Sequence, residues 1–303
     1  MIRTLSDIES LLLQQKSKKK LALAASEDIY ALKAVLKASD KGYIQAILIG
    51  DKSIIKDLAK KEGLTLQGVD ILHEADQIMA VEQAVRLVHD GTAQILMKGA
   101  SSTSVLLKAV LNKEWGLRKG TLLSHLSVFE LSRYHKLLGI TDVAINIAPG
   151  MEEKIEIIRN AVEFIESLGI MTPKVALIAA VEKVYDSMPV TIEAAEIVKY
   201  FHAGEIENCL VDGPLALDIA ISKESAMHKG ISSSVAGDAD LLLMPQIESG
   251  NILYKSLSLL SDSKIAAVVL GASAPIVLTS RADSEDSKLN SIMLAAVSNI
   301  IAQ

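Results

Sequence analysis

The sequence is short of cysteine, of aromatic residues and of long uncharged runs. Cys209 is the only cysteine, which excludes a disulfide within the chain and is typical of proteins in a reducing cytoplasm. The longest uncharged stretch, residues 265–280, is too short for a typical membrane span and is interrupted by Gly271 and Pro275. The first residues are charged and lack the apolar core of a signal peptide. These absences predict a cytoplasmic protein without a membrane partner.

Charge and motif content exclude several further classes of function. The 31 basic and 37 acidic side chains give a net charge of −6, which offers no basic footprint for nucleic acid. The fingerprints of dinucleotide sites, P-loops, zinc peptidases and α/β-hydrolases are all missing from the sequence. The histidines show no metal-ligand spacing, and no two aspartates stand at i and i+4, so we expect no bound metal.

What is present is a chain of 303 residues, half of them hydrophobic, which is enough for two domains with large cores. Short apolar strands alternate with amphipathic helices from residue 20 to residue 111, and again from residue 174 to residue 270. The pattern between these parts is less regular, and Pro149 precedes a long predicted helix at 152–168. Such alternation predicts an α/β protein whose parallel sheet is covered by helices on both faces.

An apolar run and a periodic helix meet near the carboxyl end of the sequence. Residues 276–279 predict a buried strand, and residues 284–302 predict a helix with one apolar stripe, capped by Asp283 or Ser284. Arg281 therefore follows a strand end and precedes a helix N-terminus, which is where α/β proteins bind anions. A surface ion pair with a nearby acid is the alternative interpretation of Arg281, and both stay open at this point.

A second candidate anion site follows the predicted strand at 95–97. Lys98 and Gly99 end that strand, and a helix begins near Ser102 and Thr103. Hydroxyl groups, unpaired backbone N–H groups and one lysine would make a cradle for phosphate. An ordinary loop with a serine N-cap is the alternative interpretation of the same residues.

Two further segments carry glycine and charged residues near strand ends. Gly250 and Asn251 open a predicted helix at 249–260, with Lys255 in its first turns. Residues 237–240 precede the predicted strand at 241–244. Taken by pattern alone, both segments favour structural roles.

Six segments follow one another in a recognisable order. They are 97–99 with Thr103, 141–149, 211–214 with Asp218, 236–240, 248–251 with Tyr254 and Lys255, and 280–281. In this order and spacing they resemble the phosphate acyltransferases, the family of phosphate acetyltransferase and phosphate butyryltransferase, and the likeness covers the chain from about Leu96 onward. Residues 124–129 and 279–291 resemble the butyryl branch more than the acetyl branch.

The resemblance implies a reversible acyl transfer in which acyl-CoA and phosphate give acyl phosphate and CoA directly, in a ternary complex. Coenzyme A is then a substrate, no cofactor is permanently bound, and the enzyme is a cytoplasmic homo-oligomer, a dimer or larger. The implied fold has two α/β/α domains of the isocitrate/isopropylmalate dehydrogenase type, with the site in a cleft between them. We assign residues 1–136 plus 275–303 to the first domain, because the C-terminal helix returns to it, and 137–274 to the second.

The same resemblance assigns roles to matched residues. Ser280 and Arg281 are catalytic, with Arg281 neutralising the charge of phosphate and of the developing oxyanion. The matched residues that bind substrate are Lys98, Ser102, Thr103, Gly250, Asn251 and Lys255.

The base that takes the proton of the CoA thiol departs from the family pattern. The acetyl branch carries an aspartate six residues after its arginine, and Ser287 stands at that position here. Asp283 lies four residues earlier, on the same face of the predicted helix, and is our choice of base. Asp286, or no side-chain base from this helix, are the alternatives.

Two other functions stay open. A metal-dependent decarboxylating dehydrogenase shares the implied fold, but the missing pair of aspartates counts against it. A cytoplasmic protein that binds CoA or anions without catalysis is the second. Within the acyltransferase interpretation, the resemblance to the butyryl branch predicts that four-carbon or branched acyl-CoA is used better than acetyl-CoA.

Overall fold

The structure is a computed structural model that describes residues 2–120, 122–279 and 283–298. Its backbone contacts divide the chain into two compact units. The terminal unit comprises Ser6–Thr121 and Ala266–Gln303, and the middle unit comprises Met1–Leu5 and Leu122–Ile265. The domain division predicted from the sequence, and the cleft between those domains, stay predictions.

Helices and strands alternate along most of the described chain. The helices are α1 (Leu5–Leu13), α2 (Ile29–Asp40), α3 (Lys52–Lys61), α4 (Gln77–His89), α5 (Thr103–Val110), α6 (Met151–Ser167), α7 (Pro189–His202), α8 (Leu217–Ile221), α9 (Lys223–His228), α10 (Ile247–Leu260) and α11 (Glu285–Val297). The strands are β1 (Lys19–Ala24), β2 (Ile44–Gly50), β3 (Asp70–His73), β4 (Ile95–Lys98), β5 (Ser124–Glu130), β6 (Leu138–Thr141), β7 (Lys174–Ile178), β8 (Leu210–Leu215), β9 (Leu241–Leu243), β10 (Lys264–Leu270) and β11 (Ile276–Val277). The protein therefore has a mixed α/β fold.

The strands of the terminal unit lie in the order β3-β2-β1-β4-β11-β10. The first five are parallel to their neighbours, so β1, β4 and β11 end at the same edge of the sheet. β10 is antiparallel to β11, with Val269 opposite Ile276. The strands of the alternating stretch at 20–111, β1 to β4, are parallel as predicted. β10 is an antiparallel addition, because the short connection at 271–275 cannot make the crossover of a dozen or more residues that parallel neighbours need.

The strands of the middle unit lie in the order β5-β6-β9-β7-β8. β6, β9, β7 and β8 are parallel, whereas β5 is antiparallel to β6 with Ser127 opposite Ile140. Thr141, Leu243 and Ile178 end their strands at one edge, and Phe129 contributes to an apolar core that includes Tyr254 of α10. The loop after β6 and the start of α10, which follows β9, lie at this edge and carry two of the segments that resembled the family, 141–149 and 248–251.

Helix α11 differs from the helix that the apolar stripe predicted. It ends at Val297, and every residue from Lys288 to Val297 except Asn290 is buried. A helix that is buried on nearly all sides is a core element rather than an amphipathic surface helix. It packs against α2 within the terminal unit. Among the described residues, no helix combines the length and the apolar character needed to cross a bilayer.

Candidate active site

The end of β4 lies against the end of β1 so closely that residue 99 must be glycine. Gly99 N donates to Ala24 O at 2.9 Å, and Ala100 N donates to Ala25 O at 2.7 Å. A β-carbon on Gly99 would stand 2.1 Å from Ala25 O, far inside van der Waals contact. This packing holds the loop that follows Lys98 at the carboxyl edge of the sheet, where α/β proteins bind ligands.

The ammonium group of Lys98 interacts with its own loop. Nζ donates to Gly99 O at 3.0 Å and to Ser101 O at 3.1 Å. Ser101 is buried, and its Oγ has no hydrogen-bond partner among the residues that the structure describes. The loop therefore places a positive charge and a buried hydroxyl group beside the start of α5.

The two predicted substrate-binding hydroxyls at the start of α5 have different surroundings. Ser102 is the N-cap of the helix, and its Oγ accepts a hydrogen bond from Val105 N at 3.3 Å. The N-cap interpretation of Ser102 is therefore confirmed. Thr103 is the first residue of the helix and is exposed. Because a helix N-terminus attracts anions, Thr103 and the first-turn N–H groups are suited to meet a phosphate near Lys98.

A buried lysine, Lys288, holds the turn before α11. Its Nζ donates to Asp283 O at 2.5 Å, and burial lowers the pKa of Lys288 although the charges of Asp283 and Asp28 oppose that shift. The N-cap of α11 is Ser284, whose Oγ accepts from Ser287 N at 3.1 Å. Asp283 is therefore not the cap of α11, and it is half-buried in this turn.

The predicted catalytic pair, Ser280 and Arg281, lies outside the described residues. Asp286, the alternative base, is described and is exposed. Its Oδ1 lies 3.5 Å from Lys37 Nζ on α2, and the same ammonium group lies 3.1 Å from Glu285. Asp286 therefore belongs to a surface ion-pair cluster with α2.

In the middle unit, the buried carboxylate of Asp142 organises the loop after β6. Oδ1 accepts from Ala144 N at 2.7 Å and Ile145 N at 3.0 Å. Oδ2 accepts from His125 N at 3.1 Å and Asn146 Nδ2 at 2.7 Å. Four hydrogen bonds to one carboxylate therefore tie together the loop after β6, β5 and the side chain of Asn146. From the sequence, Asp142 could be placed in a family segment but could not be given a role. One of its hydrogen-bond partners, His125 N, lies on the strand β5, which is distant in sequence.

Helix α10 packs directly on this loop. It begins at Ile247, earlier than the predicted start near Gly250, and Gln246 is its N-cap. A β-carbon on Gly250 would stand 2.3 Å from Asp142 O, and Asn251 Nδ2 donates to Val143 O at 3.0 Å. The structure thus brings Gly250 and Asn251 to the carboxyl end of β6. Lys255 follows one turn later and is half-buried.

The segment 237–240 lies at the opposite, amino-terminal edge of the middle unit's sheet. Asp238 pairs with His135 at 2.7 Å and with Lys174 at 2.6 Å, and Asp240 pairs with Lys136 at 2.6 Å. Burial by itself raises the pKa of Asp238, but the bonds from Lys174 and His135 and the charge of Lys136 lower it well below its usual range. The segment holds strand starts together and lies away from the ligand-binding edge.

Other reactive groups of the described chain are not arranged as a site. No three histidine, cysteine, aspartate or glutamate side chains within 2–120, 122–279 and 283–298 lie close enough together to hold a metal ion. Cys209 is buried, and burial together with the charge of Glu166 raises the pKa of its thiol to about 11. That thiol is therefore protonated at neutral pH.

Comparison with known proteins places these loops in one family. Residues 74–296 match the family model described as phosphate acetyl/butaryl transferase. The chain is 46% identical over 297 residues to phosphate butyryltransferase of Clostridium acetobutylicum, covering 98% of each chain. It is 41% identical over 283 residues to phosphate acetyltransferase of Thermotoga maritima, covering 92% of this chain and 95% of the relative. The crystal structure of a branched-chain phosphotransacylase from Enterococcus faecalis superposes with a TM-score of 0.82 at 36% identity, covering 92% of this chain and 98% of that one.

Proposed function

The chain belongs to the phosphate acetyl/butyryltransferase family, and we propose that it moves a short acyl group between coenzyme A and phosphate. A phosphate oxygen bonds to the thioester carbonyl carbon, the C–S bond breaks, and the CoA sulfur leaves with the proton that the phosphate loses. The products are acyl phosphate and free CoA, and the reverse reaction follows the same path. The observation that carries this proposal is the relationship over nearly the whole chain to an enzyme named for this activity.

Phosphate binds, in this proposal, at the loop between β4 and α5. Lys98 supplies a positive charge that its own loop carbonyls hold in place, and Thr103 supplies an exposed hydroxyl at a helix N-terminus. Ser102 contributes by capping the helix, so that its first-turn N–H groups keep their direction. The positive charge and the N–H groups together favour a doubly charged phosphate over a neutral ligand.

Ser280 and Arg281 act on the reacting centre. The strand that precedes them, β11, runs parallel to β4 with Val277 beside Met97, so it ends at the same edge as the phosphate loop. A guanidinium group presents a planar fork of donors that matches phosphate and the oxyanion of a tetrahedral intermediate. Arg281 stabilises the charge that develops as the phosphate oxygen attacks, and Ser280 donates a hydrogen bond to the same centre.

Residues of α10 contact the thioester end of CoA. Gly250 lets the helix approach the loop at 142–146, and Asn251 is fixed there by its bond to Val143 O. Lys255, one turn further along α10, follows the pantetheine arm. Because Asp142 fixes that loop with four hydrogen bonds, Asn251 is held in one position before substrate binds.

In the reverse reaction the CoA thiol must lose a proton before it attacks acyl phosphate. Asp283 takes this proton in our proposal. Ser284 already caps α11, Lys288 holds the main chain of Asp283, and Asp286 is engaged with Lys37. These contacts favour Asp283 over Asp286 as the group that acts in place of the aspartate missing at position 287.

The preferred acyl group and the cellular setting follow from the family branch. We propose that four-carbon and branched acyl groups are used better than acetyl, by a modest factor, because one methylene in an apolar pocket is worth only about 1–3 kcal/mol. CoA and phosphate are the small-molecule partners, no cofactor stays bound, and the enzyme works in the cytoplasm as a homo-oligomer.

A thiol-release assay tests the proposed function. Purified protein is mixed with acetyl-CoA, butyryl-CoA or isobutyryl-CoA, with and without phosphate, and with and without EDTA. We expect release of free CoA only with phosphate, undiminished by EDTA, and a higher kcat/KM for butyryl-CoA or isobutyryl-CoA. Release without phosphate, or none with any thioester, contradicts the proposal. Inhibition by EDTA that a divalent ion reverses contradicts the metal-free reaction.

A further inference from the structure

Lys288 is a buried charged residue to which the proposed reaction gives no part. It is only 4% exposed, and most of the residues that follow it in α11 are buried and apolar. Burial lowers the pKa of Lys288, whereas the charges of Asp283 and Asp28 oppose this shift. An apolar side chain of similar length would fill the same space without the cost of desolvating a charge. Packing alone therefore does not account for a lysine at this position.

The ammonium group of Lys288 joins the start of α11 to the start of α2. Its Nζ donates to Asp283 O at 2.5 Å, in the turn before the Ser284 cap. The ring centroid of Tyr30, in the first turn of α2, lies 6.0 Å from the same Nζ, and Asp28, the N-cap of α2, adds a negative charge. Both helices belong to the terminal unit and pack against each other. The turn before α11 is therefore fixed against a neighbouring helix.

The residue that Lys288 holds is the proposed base of the CoA thiol. Asp283 precedes the N-cap of α11, so the hydrogen-bond ladder of the helix does not fix its main chain. The bond from Lys288 goes to the main-chain oxygen of residue 283, so it constrains that residue without occupying a carboxylate oxygen. A shift of about 1 Å in a reacting group can lower a rate about 100-fold. A base in this turn therefore depends on a contact that holds it.

We propose that Lys288 positions Asp283 for proton transfer, an inference that rests on the proposed function. Lys288 does not touch substrate and neither gains nor loses a proton. It holds the carbonyl group of residue 283, so that the side chain of Asp283 leaves the turn in one direction. The carboxylate takes the thiol proton, the sulfur bonds to the carbonyl carbon of acyl phosphate, and the bond from that carbon to the phosphate oxygen breaks.

Lys288→Met tests this proposal, because methionine fills a similar space without a donor or a charge. With butyryl phosphate and CoA, we expect kcat of thioester formation to fall about 10- to 100-fold, while KM for either substrate stays within about twofold. The loss should shrink toward about pH 9.5, where a thiol with a pKa near 8.5 is largely ionised without a base. Lys288→Arg should recover most of the rate, since it keeps a charged donor. Lys37→Met is the matched control, because Lys37 contacts the first turn of α11 from α2 at the surface, and its kcat should be unchanged.

A double variant separates positioning from a purely structural role. Lys288→Met combined with Asp283→Asn should be no slower than Asp283→Asn alone, because a residue that acts only through Asp283 then has nothing left to position. Losses that multiply in the double variant, a loss that is equal at all pH values, or wild-type kcat in Lys288→Met each overturn the proposal. Lys288→Gln replaces Lys288→Met if the latter does not fold, with the same expectations. If neither variant folds, the lysine is structural and the proposal is overturned.

Failure of this inference and failure of the proposed function give different results. Normal kcat in Asp283→Asn, when the wild-type protein forms thioester from butyryl phosphate and CoA, overturns the role of Lys288 together with that of the base and leaves acyl transfer in place. No thioester formation by the wild-type protein overturns the proposed function itself.

Discussion

Gly250 and Asp142 touch through main-chain atoms, because α10 comes so close to the loop after β6 that a β-carbon at 250 would lie 2.3 Å from Asp142 O. The next residue of the helix, Asn251, bonds to the next carbonyl of the loop, Val143 O. The contact thus joins α10, which carries the proposed substrate-binding residues, to the loop that Asp142 fixes. Any side chain at 250 must push the two apart.

We therefore expect Gly250→Ala to lower both stability and activity. Overpacking of a tight contact costs about 1–3 kcal/mol, and a shift of Asn251 by about 1 Å is enough to lower kcat about 100-fold. Urea unfolding and the thiol-release assay measure the two effects. Gly150→Ala is the control: no atom lies within 4 Å of a β-carbon there, so its stability and kcat should stay near those of wild type. Wild-type kcat in Gly250→Ala would show that the position of Asn251 does not matter.

The ion-pair network around Asp238 predicts a pH-dependent contribution to stability. His135, Lys136 and Lys174 all contact this carboxylate. Asp238→Asn should lower the free energy of unfolding at pH 7 by about 2 kcal/mol, as expected for breaking a partly buried network. Because the pKa of Asp238 is lower in the folded than in the unfolded protein, its contribution is complete above the unfolded value of about 4 and is lost as the pH falls below it.

Urea unfolding at pH 7 and at pH 3 checks this prediction. The difference between wild type and Asp238→Asn should be full at pH 7 and smaller at pH 3. Glu285→Gln is a control, since Glu285 pairs with Lys37 at the surface, where a salt bridge contributes about 0–1 kcal/mol. Equal differences at both pH values would contradict the assignment of the effect to this carboxylate.

Periodicity in the sequence predicted the helices and strands well, but it predicted less well which strands pair and in which direction. The alternation of strands and helices predicted from residue 20 to residue 111 is observed as β1, α2, β2, α3, β3, α4, β4 and α5. The antiparallel placement of β10 was not predicted, since strand–helix alternation carries no signal for a strand that returns through a short connection. The short helices α8 and α9 were also missed, because five or six residues show no clear period.

The parts of the site that the sequence did not reveal are contacts between stretches that lie far apart in the sequence. The four donors to Asp142 become visible only when separate elements pack together. The cap of α11 was a choice between two adjacent residues, and only the hydrogen bond from Ser287 N decided for Ser284. Single matched residues such as Gly250 and Asn251 could be named in advance, because the family segments place them at strand ends.

Arg281 carries the clearest prediction for catalysis. Arg281→Ala should lower kcat about 10²- to 10³-fold, the usual effect of removing one group that stabilises charge in the transition state. Arg281→Lys should recover little of this loss, because an ammonium group cannot present the two parallel donors of a guanidinium. Steady-state kinetics with butyryl-CoA and phosphate measure both variants. A near-normal kcat in Arg281→Ala would assign the arginine to a surface ion pair instead.

The last prediction concerns the proton of the CoA thiol. If its pKa is near that of free cysteine, about 8.5, only a few per cent of the thiol is ionised at neutral pH, and a positioned base raises the rate about 10²- to 10⁴-fold. Asp283→Asn should therefore lower kcat at least tenfold in the direction that consumes CoA, and activity should recover toward high pH as thiolate accumulates. Some stability should be lost as well, because the charge of Asp283 favours the ammonium form of the buried Lys288. The cap of α11 is Ser284 and the bond from Lys288 goes to the main chain of residue 283, so the helix start itself should be kept.

Two neighbouring variants separate the base from its alternatives. Ser284→Ala should cost about 1 kcal/mol of stability through the lost cap. Asp286→Asn should leave kcat unchanged, because Asp286 is exposed and pairs with Lys37. Rate–pH profiles of kcat and thermal unfolding of all three variants decide between the roles. A large loss in Asp286→Asn with normal activity in Asp283→Asn would move the base to Asp286. Small effects in both would mean that the thiol loses its proton without a side-chain base from this helix.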